Sequence, residues 1–585
     1  MPAPSHAPGQ EPPAFDTESR PQLPQTPAQD LILWSHLRYV NLLFVFGIAA
    51  IAGAQTPVQI NVDASQSEGP FRPIYRYFGY DEPNYTYGEH GPKLVGELAA
   101  LSDAPVYIRA HHMLTSGDGV PSFKFGSTNV YTEDANGKPV HSWAIVDRIL
   151  DTYIHAGARP FVELGFMPKA LSTHPEPYKS EWAPGAVNDK YFVGWSYPPT
   201  DYAKWGELIH QLVLHAVARY GRAAVERWYF EVWNEPDIGY WHGTPEEYDR
   251  LYDAAAQGVK RALPTAPVGG PAITGPGSAR STGFLRQFLQ HCQDANIPLD
   301  FITFHAKGQA RFVDGRVKMG ISNNLRNADN GFKVVAEFPK YKALPIVLSE
   351  SDPEGCAACS ARFSPQNAYR NGTLYASYTA AAMKGLTDIA KRDGVNLEGQ
   401  LTWAFEFEGQ PYFEGFRTLA SNGLDKPILN FFRMAGQLNG NRVKTTSTGA
   451  VDLNAAIRDG IAQPDVDAIA VRSDRSLNVL VWNYQDADVA VNAAHVALQT
   501  AGLPKDLSRI SMRHYRIDQT HSNAFTAWKQ AGSPQSPSPE QYAALEAAGQ
   551  LQMLGSPQWI NVEKGAVQID FDLPIQGLSL IQISW

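Results

Sequence analysis

Short apolar runs alternate with longer amphipathic stretches through the middle of this sequence, and no other feature restricts the fold as much. The runs are Tyr75–Tyr80, Pro105–Ala110, Pro160–Phe166, Trp228–Trp233, Pro267–Ile273, Asp300–His305, Pro345–Ser349 and Leu401–Phe405. Helical patterns such as Ala144–Ala156, Tyr202–Tyr220, Pro245–Leu263 and Gly372–Lys391 separate them. A strand buried on both faces reads as a continuous apolar run, and parallel strands need crossovers, usually helices. Eight such units predict an α/β chain built on a (β/α)8 TIM barrel over residues 71–435. A doubly wound open sheet is the competing arrangement, but no glycine-rich phosphate turn follows the first run.

From residue 436 to 585 the pattern changes to short alternating runs: Ala468–Arg472, Leu477–Tyr484, Arg509–Arg516, Ala566–Leu573 and Leu578–Trp585. Gly, Pro, Asn and Asp punctuate them, which predicts an appended all-β sandwich. Residues 57–63 alternate too, and the segment 55–70 is expected to add a strand to that sandwich. Pro534–Gln550 reads as a turn-rich insertion leading into a short helix.

The N-terminal residues 1–35 are rich in Pro without apolar periodicity, the pattern of a disordered segment. Residues 36–54 carry His36-Leu37-Arg38, an uncharged run Val40–Ala52 and then Ala52-Gly53-Ala54. Thirteen residues are short for a bilayer span but suit a signal-peptide core before a small-residue cleavage site. The expectation is a secreted or periplasmic protein cut after Ala54, with no membrane contact unless the segment is retained as an anchor. Of three cysteines, only Cys356 and Cys359 lie close enough in sequence to bridge, and a local disulfide suits export. The formal charge of −10 offers no basic surface for nucleic acid. The 13 Trp, 26 Tyr and 27 Phe supply many flat faces, for a core or for sugars.

Catalytic groups of a barrel sit at the C-terminal ends of its strands. The fourth run ends in Trp233-Asn234-Glu235-Pro236-Asp237 and the seventh in Leu348-Ser349-Glu350-Ser351-Asp352-Pro353. An acid is costly beside strongly apolar strands unless it has work there. Two carboxylates flanking one bond are the minimal apparatus of glycoside hydrolysis. Capping or surface acids are the plainer reading for one such glutamate; for two, with Asn234 before the first, catalysis is the better one.

The segments Tyr107-Ile-Arg-Ala-His111, Arg159-Pro-Phe-Val-Glu-Leu-Gly-Phe-Met-Pro-Lys169, Trp228-Tyr-Phe-Glu-Val-Trp-Asn-Glu-Pro-Asp237 and Leu348-Ser-Glu350 closely resemble glycoside hydrolase family 39. So does the tail Arg513-His-Tyr-Arg-Ile-Asp-Gln-Thr-His-Ser-Asn-Ala-Phe-Thr-Ala-Trp528, and the likeness runs from residue 57 to the C-terminus. That family of β-xylosidases and α-L-iduronidases is retaining. The resemblance implies Glu235 as general acid/base, Glu350 as nucleophile, Asn234 on the sugar 2-hydroxyl, and neither metal nor cofactor. Arg109 and His111 on the second strand are expected on the pocket floor, with Arg109 keeping Glu350 ionised; for His111 a hydrogen-bonded core histidine is an equal alternative. Glu163 is expected to tie strands together. The partner is then an oligosaccharide or glycoside; a homo-oligomer is compatible, because relatives often assemble.

The two branches of the family mix in this chain. His305-Ala306-Lys307-Gly308 and Glu350-Ser-Asp-Pro353 resemble the iduronidases, while Glu414-Gly-Phe-Arg-Thr-Leu419 follows the xylosidase ending with Arg417 in place of a small residue. Lys307 and Arg417, with Arg370, could form a cationic corner for a uronic acid. Alternatively Lys307 pairs with Asp352, Glu354 or Glu408 and the sugar is neutral, β-D-xylose first and α-L-arabinose (an arabinofuranosidase) second. The pairing rule for buried charge favours the neutral sugar. Trp403 is a candidate for stacking on the sugar face and Glu408 for lining the pocket. A non-catalytic carbohydrate-binding barrel is the reading from another class, and it gives no reason to keep Glu235, Glu350 and Asn234 together.

Overall fold

The computed structural model describes residues 56–185 and 191–585. The Pro-rich segment and the expected signal peptide lie outside the described residues. No helix among the described residues is long and apolar enough to cross a membrane.

Eight parallel strands close into a barrel: Tyr77–Tyr80, Tyr107–Ala110, Arg159–Leu164, Tyr229–Val232, Val268–Ile273, Phe301–His305, Pro345–Glu350 and Asn396–Trp403. The chain is thus a (β/α)8 barrel, as its alternating runs predict. Helices including Ala144–Ala156, Tyr202–Tyr220, Pro245–Ala262 and Thr373–Asp393 connect the strands. Their starts are written locally: Asp201 accepts from the Ala203 and Lys204 N–H groups, and Thr244 forms a capping box with Glu247.

Because side chains alternate along a strand, the barrel interior is built in layers. Tyr77, Tyr107, Phe161, Tyr229, Phe301, Val347 and Leu401 form an apolar plug near the strand starts. Two residues further along, the plug gives way to Arg109, Glu163, Glu231 and Trp403, all buried. Gly79 belongs to this second layer. A β-carbon there would lie 2.5 Å from the Trp403 ring and 2.8 Å from the Arg109 carbonyl oxygen, so the absent side chain makes room for the indole.

The β domain is one ten-stranded sheet that curls on itself. Its strands are mostly antiparallel; Val58–Pro70 runs antiparallel to Asn441–Ser447 and parallel to Ala494–Ala501. Ile60, Val479, Val496, Phe571 and Ile583 fill the inner face. The other face carries Val471, Leu480, Trp482 and Leu578 into the same core as the barrel helices. The motif Thr520-His521-Ser522-Asn523 lies at that junction: the Ser522 carbonyl accepts from Asn430 Nδ2 at 3.1 Å, and Asn523 caps helix Ala524–Gln530.

Candidate active site

The turn that ends the fourth strand is backbone-strained. Trp233 and Glu235 have φ of 71° and 46°, a region side-chain-bearing residues avoid at a cost of about 1–3 kcal/mol each. Neighbours hold the turn: the Glu235 N–H donates to the Ala272 carbonyl at 2.8 Å, and the Trp233 indole N–H to the Tyr240 carbonyl at 3.0 Å. The turn aims Glu235 into the barrel mouth. One oxygen of Glu235, one of Glu350 and a ring nitrogen of His305 all lie within 4.8 Å of one another. His305 stands between the carboxylates, with Nδ1 2.9 Å from Glu235 and Nε2 3.7 Å from Glu350.

Glu350 is ringed by cations. Its Oε1 lies 3.4 Å from Arg109 Nη1 and 3.4 Å from His111 Nε2, and its Oε2 accepts from the Lys307 ammonium. Burial alone would raise its pKa. His305, Lys307 and His111 outweigh burial and hold the carboxyl well below the usual carboxylate range.

Arg109 is the hub beneath. Its Nε bonds Glu231 at 2.5 Å, and its Nη2 reaches Glu163 at 2.9 Å and Asn234 Oδ1 at 2.9 Å. Burial opposes its charge, but Glu231, Glu163 and Glu350 more than compensate and push its pKa up. His111 likewise faces Glu163 at 2.5 Å and Asp81 at 3.3 Å; despite burial, these acids and Glu350 raise it to about 9. Asn234 Nδ2 is buried and has no hydrogen-bond partner among the described residues, an N–H left for a ligand in the mouth.

Of the residues singled out in the sequence, the structure brings Glu235, Glu350, Asn234, Arg109, His111, His305 and Lys307 together. The expectations for five residues are corrected. Lys307 pairs with Glu350 itself rather than with Asp352, Glu354 or Glu408. Arg417 does not face the mouth: it is wholly buried, its Nη1 held by Glu354 and its Nη2 3.6 Å from Asp352. Arg370 is also held by Glu354 and donates to the carbonyls of Cys356, Ala357 and Cys359. Trp403 is 1% exposed, with the Arg109 guanidinium 5.0 Å above its ring, so it supports the arginine rather than offering an open face to sugar. Glu408 accepts from the His90 N–H at 2.8 Å and lines a separate hollow of about 780 Å³ with Tyr412 and Tyr542. Cys356 and Cys359 are bridged, and Cys292 is buried and unpaired.

Three neighbours escaped the sequence reading. Asp81 directly follows the first strand, so the strand-end rule that found Glu235 could have found it. Glu231 repeats the barrel position of Glu163, with which it is in register. Lys124 lies in a loop and carries no local signal.

The family model for glycosyl hydrolases family 39 matches residues 58–558. A β-xylosidase of Geobacillus stearothermophilus is 27% identical over 461 residues, covering 76% of this chain and 79% of the relative. An α-L-iduronidase of Mus musculus is 22% identical over 582 residues, covering 92% and 82%. Among solved structures, a family 39 enzyme from Xanthomonas axonopodis pv. citri superposes with a TM-score of 0.69 at 22% identity, over 90% of this chain and 97% of that one.

Proposed function

The chain belongs to glycosyl hydrolases family 39, and we propose that this O-glycoside hydrolase is a retaining exo-glycosidase that releases a neutral terminal sugar, β-xylose first. The observation that carries the reading is the carboxylate pair: an ionised Glu350 within 4.8 Å of Glu235. Separations near 5 Å suit double displacement, because no water must fit between the acids.

In this mechanism Glu350 attacks the anomeric carbon while Glu235 gives its proton to the leaving oxygen. The C–O bond to the aglycone breaks and an ester to Glu350 forms. Glu235, now a carboxylate, takes a proton from water as that water attacks the anomeric carbon and frees Glu350. Asn234 Nδ2 binds the 2-hydroxyl, a contact that strengthens as positive charge develops on the ring.

Charge pairing supports a neutral sugar. Lys307 is matched by Glu350, and Arg417 and Arg370 by Asp352 and Glu354. The curated β-xylosidase relative fits this reading. A uronic acid is the second reading. It is favoured by the placement of the Lys307 ammonium at the nucleophile and by the iduronidase relative. Arabinofuranosides are a further neutral candidate. The run Val40–Ala52 and Ala52-Gly53-Ala54 support export.

The test is release from aryl β-xyloside, α-L-arabinofuranoside, β-glucoside, β-galactoside and α-L-iduronide. Glu235→Ala is expected to lower turnover on the order of 10²–10⁴-fold, and Glu350→Ala to abolish it. Proton NMR of the first product should show the substrate's anomeric configuration kept. Unchanged turnover in both variants refutes the glycosidase assignment to this pair, and release only from the iduronide selects the second reading.

A further inference from the structure

The loops after the first and second barrel strands are latched together beside the carboxylate pair. Asn84 acts as a backbone mimic: its Nδ2 donates to the Ser127 carbonyl and its Oδ1 accepts from the Ser127 N–H, both at 2.9 Å. Glu82 Oε1 accepts from the Lys124 N–H at 2.7 Å. Gly126 packs on Pro83 so closely that a β-carbon has no room. This latch holds Lys124 at φ 54°, a left-handed backbone that lysine does not adopt for its own sake.

The strained residue delivers an ammonium to a buried place. Lys124 is 8% exposed, and its Nζ lies 2.6 Å from Asp81 Oδ2 and 5.2 Å from the Tyr191 ring centroid. An ammonium has three N–H donors. Among the described residues only Asp81 accepts from it. Asp81 is 2% exposed, and its other oxygen lies 3.3 Å from His111 Nε2, the same nitrogen that stands 3.4 Å from Glu350. The pair therefore sits one imidazole away from the carboxylate that attacks.

A buried ion pair adds little stability after its desolvation, and unfilled donors on a buried ammonium are a further cost. A sugar diol would fill them: lysine donates to one hydroxyl oxygen and aspartate accepts from the adjacent O–H, both charge-assisted bonds. The pair is neutral overall, so it suits hydroxyls rather than a carboxylate. It stands on the loops that follow the first and second strands, whereas Glu235 follows the fourth.

We propose that Asp81 and Lys124 are specificity-determining residues that bind two adjacent hydroxyls of the terminal sugar, remote from the bond that breaks. The inference rests on the glycosidase reading above. It makes the first two strand-end loops the closed end of the sugar pocket, with Asn234 reading the 2-hydroxyl on the other side.

The test is a double-mutant cycle between protein and substrate. Wild type, Lys124→Met and Asp81→Asn are assayed on an aryl β-xyloside and on its 3-deoxy and 4-deoxy analogues. Wild type is expected to lose about 10- to 100-fold in kcat/KM on at least one analogue, the range for a hydrogen bond to a charged group. Each variant should lose a similar factor on the parent and little more on that analogue, because the contact is already gone. Lys124→Gln, which keeps N–H donors, should lose less than Lys124→Met, and thermal melts check that each variant is folded. Losses that multiply, or equal losses in Lys124→Gln and Lys124→Met, overturn the proposal. Glu350→Ala runs alongside: if it hydrolyses the parent as fast as wild type, the glycosidase reading fails instead.

Discussion

His111 shows how the surroundings of one side chain set its chemistry. Burial should strip its proton, yet Glu163, Asp81 and Glu350 face it and hold its pKa at about 9. Arg109 and Lys124 share Glu163 and Asp81 with it, and the acids still outweigh burial. The ordinary histidine value is 6.5, so the folded state binds this proton more tightly than the unfolded one. The stabilisation is therefore complete below about pH 6.5 and is lost as pH rises through about 9. The melting temperature of wild type should fall between pH 7 and 10 more steeply than that of His111→Gln. Parallel profiles would show that His111 does not carry the extra proton. Residues of this kind differ in how visible they are from sequence. Glu235 and Glu350 are legible because each follows an apolar run where an acid needs a reason. The Asp81–Lys124 contact joins residues 43 positions apart across two loops, and nothing local to Lys124 announces it.

The element that most changes the substrate argument is the loop after the seventh strand. Glu354 holds both Arg370 and Arg417, and Arg370 in turn fastens the carbonyls of the disulfide turn. Sequence spacing shows three cations and three acids near the mouth but not how they pair, because the pairing depends on side-chain reach between neighbouring strands. The choice matters: the charge of Arg417 is already matched by Glu354 and Asp352 of this loop. Glu354→Gln removes the charge shared by two buried guanidinium groups. Breaking such a network costs about 3–5 kcal/mol, so the midpoint of urea unfolding should fall markedly. A midpoint within error of wild type would mean that Asp352 and the carbonyls suffice. The strands themselves are more legible, since their apolar runs are set by burial on both faces. The eighth is the exception: it begins at Asn396, but Asn396 and Glu398 are polar, so the apolar pattern shows only its end.

At the scale of the molecule, the sequence divides at residue 436 but the core does not. Trp482, Leu480, Leu578 and Ile517 of the sheet lie in one hydrophobic cluster with Phe431, Phe432 and Leu386 of the barrel helices. The sheet also takes its strand Val58–Pro70 from before the barrel, so the chain enters and leaves the barrel through the same sheet. Change of pattern along a sequence marks where strand type changes; it carries no information on which apolar faces meet. The β domain is thus part of what stabilises the barrel, and its helix-bearing loop Ala524–Gly549 reaches the barrel rim through Asn430 and Asp425. A chain cut to residues 71–435 would expose the apolar faces of its last two helices to water, at a cost of about 25 cal/mol for each Å² uncovered. It is expected to lose cooperative unfolding and to aggregate, whereas residues 56–585 should melt in a single transition. Circular dichroism melts and size-exclusion chromatography of the two forms decide the matter. A soluble, cooperatively melting barrel would show that the shared cluster is an interface between independent domains rather than one core.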